Sequence, residues 1–137
     1  MERTMRLNMI QYLGPFFYLV GLLGPPLRMV ERARFRKFRS LSPAEVVKRS
    51  EALRGCELYH FQASPFAARV RGALAKFQVE IPMHDVLESN KAWKELIAGG
   101  KRDRVPCLKV TEPGAPDRWI YESLEIVKFI EIRMAKN

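Results

Sequence analysis

Residues 56–137 predict an α/β domain with the order β-α-β-α-β-β-α, and three observations carry the prediction. Short runs rich in aromatic and β-favouring residues alternate with stretches whose apolar residues recur every three or four positions. Ser-Pro, Gly-rich and Pro-rich punctuation stands at the boundaries between them. No internal repeat or low-complexity tract breaks the pattern, and the stretch is long enough for one modest core.

The first strand is read over Glu57–Gln62 (ELYHFQ). Ser64 suits the N-cap of the helix that follows and Pro65 its first position, where a missing N–H costs nothing. Val70, Ala73, Leu74 and Phe77 then recur at i, i+3, i+4 and i+7 as the apolar face, with Arg69, Arg71 and Lys76 pointing elsewhere. Glu80–Val86 reads as the second strand. Ser89–Gly99 reads as a helix with Trp93, Leu96 and Ile97 inward and a glycine stop. The polar turn 100–104 leads into a strand over Val105–Val110. After the turn-rich 112–117 segment come a strand over Arg118–Tyr121 and a helix from about Ser123, with Leu124, Val127, Ile130 and Met134 toward the core.

Residues 40–55 read as a capping helix and linker. Ser42 caps, Pro43 takes the first position, Glu45 closes a capping box, Leu41 can staple onto Val46, and the helix runs to Leu53 with a stop at Gly55.

The junction at Ser64 carries chemistry. Amides of the first turn and the helix dipole favour an anion there, so a cysteine at this position would be acidic and reactive. A serine hydroxyl stays protonated near neutral pH, but it can donate a hydrogen bond to a thiolate supplied by a ligand.

Three separated signals, in order and at the right spacing, resemble one family. Ser64-Pro65-Phe66-Ala67 is similar to a Cys-Pro-Phe/Tyr-Cys corner with both cysteines replaced. Residues 100–108 (GKRDRVPCL) are similar to the loop before a cis-proline, and Tyr121-Glu122-Ser123 to a glutathione-binding turn. Cys56–Lys136 therefore resembles the glutaredoxin-like N-terminal domain of glutathione S-transferases, which has a thioredoxin fold.

The resemblance implies glutathione as ligand or substrate. It implies that the Val105 backbone, before a cis Pro106, pairs with the cysteinyl part of glutathione, and that Glu122 and Ser123 hold the γ-glutamyl amino and carboxylate groups. Arg104 or Lys101 would pair with the glycyl carboxylate. Ser64 would face the sulfur, as the serine does in serine-type transferases. A scaffold that kept its turn and caps but lost the ligand is the other reading of the same residues.

The departures limit the activity. Without thiols at 64 and 67 the corner has neither a nucleophile for thiol–disulfide exchange nor a resolving group, nor a thiolate for an iron–sulfur cluster. What the resemblance leaves open as an enzyme is a weak serine-type glutathione transferase. The family sheet would set Cys56 and Cys107 toward opposite ends of a strand pairing, too far apart for a disulfide. Both are expected as free core residues, with Cys107 the alternative candidate for a redox-sensitive thiol. No metal is expected: Cys56 and His60 lie about 13 Å apart along a strand, and His84 beside Asp85 reads as a solvated or hydrogen-bonded strand residue.

The first 39 residues are of another kind. Leu7–Leu27 is uncharged over 21 residues, close to the ~20 that span a bilayer, with Gly14-Pro15 inside it and Pro25-Pro26 near its end. Arg28, Arg32, Arg34, Arg36, Lys37 and Arg39 follow against Glu31 alone. Residues 1–39 are thus read as an apolar anchor or interfacial segment with a basic juxtamembrane arm. Those six cations would meet anionic headgroups and keep the domain on the cytoplasmic side. A hydrophobic tail packed on the domain or on a partner and a signal peptide are the competing readings, the latter opposed by the positive charge beyond the apolar run. Of the net charge of +9, residues 1–49 carry +7, so the basicity belongs to the arm. Its apolar neighbour points to lipid and not nucleic acid. Two unpaired cysteines agree with a reducing compartment.

Overall fold

The structure, a computed structural model, describes residues 41–137. The apolar run at Leu7–Leu27 and the basic arm from Arg28 to Arg39 lie outside the described residues. Among the described residues no helix is long and apolar enough to cross a membrane.

Helix α1 spans Pro43–Ser50 and begins with the capping box read from the sequence. Ser42 Oγ accepts from the Glu45 N–H at 3.3 Å, and the Glu45 carboxylate accepts from the Ser42 N–H at 2.8 Å. A 3-10 turn, Glu51–Leu53, carries the chain to Gly55. Gly55 has φ +80°, and a Cβ there would lie 2.1 Å from the Thr111 carbonyl oxygen, so only glycine admits this crossing.

Strand β1 (Cys56–His60) leads into α2 (Pro65–Phe77), β2 (Met83–Asp85) and α3 (Asn90–Glu95), which continues as a π turn over Leu96–Gly100. Strands β3 (Cys107–Val110) and β4 (Arg118–Tyr121) precede the last helix, α4 (Ser123–Ala135). The four strands are ordered β2-β1-β3-β4, with β2 parallel to β1 and the other two neighbouring pairs antiparallel.

Strand alternation divides the core between the two faces. Leu58, Leu108 and Ile120 stand opposite one another on the face covered by α2 and α4, among Val70, Leu74, Ile126 and Ile130. Tyr59, Cys107 and Tyr121 line the other face, where α3 and the π turn after it bring Ala92, Trp93 and Leu96. The result is three layers, helices on both sides of a mixed sheet.

Some expected boundaries move. Strand β2 is three residues long, because Pro82 has no N–H to pair and the parallel ladder with Leu58 begins at Met83. Its neighbour Val79 and Ile81 are nonetheless buried in the core. On α4, Leu124 is 65% exposed and Ile126 takes its inward place, while Ile130 is buried as expected and Val127 and Met134 pack against the same cluster. Leu41 does not serve the capping helix alone, since its N–H donates to Gln78 Oε1 at 2.9 Å.

Candidate functional site

Strand register gathers three loops at one end of the sheet. Tyr59 near the end of β1 pairs with Cys107 at the start of β3, which in turn pairs with Tyr121 at the end of β4. The turn after β1, the loop before β3 and the junction after β4 therefore meet at this end.

At the first of these, the Ser64 N–H donates to the Phe61 carbonyl at 3.1 Å and closes a turn through Gln62 and Ala63. Ser64 is the N-cap of α2, with Pro65 in the first turn, and its Oγ accepts from the Ala67 N–H at 3.2 Å. The residue is 1% exposed. Its hydroxyl hydrogen remains a donor after the cap is made.

In the second loop the Val105–Pro106 peptide bond is cis. Pro106 is buried and Val105 half-buried, whereas Lys101, Arg102 and Arg104 are exposed. Lys101 ends the π turn in a left-handed conformation, its N–H donating to the Ile97 carbonyl. The Arg102 guanidinium lies 5.4 Å from the centre of the Tyr121 ring. Burial is the main cause holding the Tyr121 phenol above its usual range.

At the third junction Glu122 is exposed and has φ +68° and ψ +118°, a conformation that glutamate rarely adopts. Its carbonyl accepts the first bond of α4, from the Ile126 N–H at 3.1 Å. Ser123 is 6% exposed, and its Oγ accepts from Arg69 Nη1 at 3.3 Å, joining the start of α2 to the start of α4.

A family model described as glutathione S-transferase, N-terminal domain matches residues 58–137. The chain belongs to this family. The match contains all three loops and everything after the first two residues of β1. No curated protein and no solved structure matches the chain significantly. Membership carries with it the thioredoxin-like fold seen in the mixed four-stranded sheet and a glutathione-related role for the domain.

Within this glutathione S-transferase N-terminal domain the remaining thiols are poorly suited to chemistry. Cys56 and Cys107 are free and buried, three register positions apart on neighbouring strands. Burial pushes the Cys107 thiol up to about 12, partly offset by its hydrogen bond with Tyr121, and pushes Cys56 up to about 11. Neither forms an appreciable thiolate at neutral pH. Both thiols should resist a disulfide reagent at pH 7 in the native protein and react at once in denaturant. Rapid native modification of either would contradict this assignment. Because the folded protein keeps protons that the unfolded chain loses near pH 9, stability should fall as pH rises from about 9 through 11 to 12.

His84 pairs its Nε2 with Glu57 Oε1 at 3.0 Å and leans on the Tyr59 ring. Among the described residues no group of three or more His, Cys, Asp or Glu could hold a metal ion.

The contacts of two arginines escaped sequence reading. Arg69 meets Ser123, and Arg71, placed by periodicity away from the apolar face, folds back to His60 and the Gln62 carbonyl. A cation on a helix reads as solvent-facing in sequence, and only the tertiary fold supplies its acceptors.

Proposed function

We propose that the chain is a membrane-tethered glutathione-binding protein that has lost dithiol redox activity, with Ser64 facing the glutathione sulfur. What supports the reading is the convergence of Ser64, Val105–Pro106 and Glu122–Ser123 at one sheet end in a glutathione S-transferase N-terminal domain. The Val105 backbone pairs with the cysteinyl unit, with Pro106 fixing its direction. Glu122 takes the amino group and Ser123, with the first amides of α4, takes the γ-glutamyl carboxylate. Arg104 or Lys101 pairs with the glycyl carboxylate. Where an enzyme results, it is a weak serine-type transferase in which the Ser64 hydroxyl stabilises the thiolate of bound glutathione.

Calorimetry with reduced glutathione tests this. Weak binding is expected, together with no reduction of a glutathione mixed disulfide, since no thiol stands at 64 or 67. An absence of binding at millimolar glutathione would favour the second reading, a non-catalytic thioredoxin-fold interaction module at the membrane. That reading draws on the near-complete burial of Ser64 and the use of its Oγ as a helix cap. Robust reductase activity would sink the loss of redox function.

The tether rests on the 21 uncharged residues Leu7–Leu27 and the basic arm behind them. Such a run can satisfy its own backbone in lipid as a helix, and each basic residue near anionic headgroups adds roughly 1 kcal/mol. The full chain should fractionate with membranes, survive a high-salt wash, and expose its domain to protease only from the cytoplasmic side. Release by salt would indicate surface binding through the arginines alone, and a soluble full-length chain would remove the tether.

A further inference from the structure

The turn that delivers Ser64 is held by two side chains from outside it. Gln62 is a central residue of the turn between Phe61 and Ser64, and both of its backbone groups are bound by charged residues. Its N–H donates to Asp85 Oδ2 at 3.1 Å, from the end of β2, and its carbonyl accepts from Arg71 Nη2 at 3.2 Å, from the second turn of α2. The other Asp85 oxygen accepts from the N–H groups of Leu87 and Glu88 at 2.8 and 3.2 Å, so the carboxylate bridges two loops. The other arm of the Arg71 fork lies 3.1 Å from Nδ1 of His60, a residue 5% exposed, so Arg71 bridges the last residue of β1 and the turn. Because the guanidinium has only donors, His60 Nδ1 is the acceptor in this contact.

We propose that Asp85 and Arg71 are positioning residues for the glutathione corner: together they grip both faces of the Gln62 backbone and so fix where Ser64 meets the sulfur. This rests on the reading of the site as a glutathione site. Neither residue is among the proposed ligand contacts, and each acts through Gln62. Hydrogen bonds to charged groups are the stronger kind, and a turn with no other side-chain support at Gln62 would let the Ser64 hydroxyl and the first amides of α2 drift out of alignment.

The test uses the full chain carrying Ser64→Cys as an internal reporter. The Ala67 N–H and the helix start favour a thiolate at that position, so its ultraviolet titration, well below that of Cys56 and Cys107, reports the alignment without any ligand. Adding Asp85→Ala, or separately Arg71→Lys, should raise the thiol midpoint by about one pH unit, and in the Ser64 protein each should weaken glutathione about tenfold. Circular dichroism checks that each variant is folded. Lysine keeps the charge but lacks the fork, so Arg71→Lys separates bridging from simple electrostatics, and it decides the matter alone if Asp85→Ala does not fold. An unmoved midpoint in a folded Arg71→Lys variant would overturn the proposal. If the parent chain does not bind glutathione, the proposed function fails, while the thiol midpoint still judges the clamp.

Discussion

Truncating Leu108 to alanine is expected to remove much of the stability of the domain. Leu108 is fully buried in the interior strand β3, flanked in register by Leu58 and Ile120. Val70, Leu74, Ile126 and Ile130 of the two covering helices belong to the same cluster. A leucine so enclosed on all sides leaves a cavity that its neighbours can fill only by moving a strand or a helix, and such losses cost about 2–5 kcal/mol. Small domains hold only about 5–15 kcal/mol in all, so the urea midpoint should fall steeply with its slope nearly unchanged. Leu124→Ala is the matched control. Leu124 is 65% exposed on α4, and its truncation should stay within about 0.5 kcal/mol. A Leu108→Ala variant within 1 kcal/mol of the parent would mean that β3 is not an interior strand enclosed on both sides.

The contrast between those two leucines shows where sequence reading stops. Leu124-Val127-Ile130-Met134 and Ser123-Ile126-Ile130-Met134 both satisfy a helical period, so periodicity alone leaves the phase of α4 undecided. The turn at Glu122 decides it, because the unusual backbone there sets the direction in which the first residue of the helix points and turns Ser123 inward. Serine caps, by contrast, are local: Ser42, Ser64 and Ser89 each accept from the N–H three residues on, and the first two are legible as caps from spacing, while Ser89 reads in sequence as the first residue of its helix. The order of elements follows from these local signals, and the glutathione S-transferase resemblance supplied the topology. The Asp85 and Arg71 clamp was not legible. Its partner groups, the N–H and the carbonyl of Gln62, lie 23 and 9 residues away in sequence and come together only after the sheet has formed.

Replacing Glu122 by glycine should move stability and ligand affinity in opposite directions. At φ +68° and ψ +118° a residue with a Cβ is strained, at a cost of order 1–3 kcal/mol. Glycine adopts such a conformation freely. The greater freedom of glycine in the unfolded chain takes back about 0.4–1 kcal/mol, so a net gain of about 1 kcal/mol is expected, read as a higher denaturation midpoint. The Glu122 side chain makes no cap to α4, and its structural contribution is the carbonyl that accepts from Ile126, a group that glycine retains. In the proposed site, however, the carboxylate is the partner of the glutathione amino group, and its removal should weaken binding about tenfold or more. Glu122→Ala separates the two effects, because alanine keeps the Cβ and therefore the strain while losing the carboxylate. It should bind as poorly as the glycine variant without the gain in stability. A strained residue kept where a relaxed one would be more stable fits a side chain retained for a ligand. A glycine variant less stable than the parent would refute the strain, and one that binds glutathione as the parent does would remove Glu122 from the site.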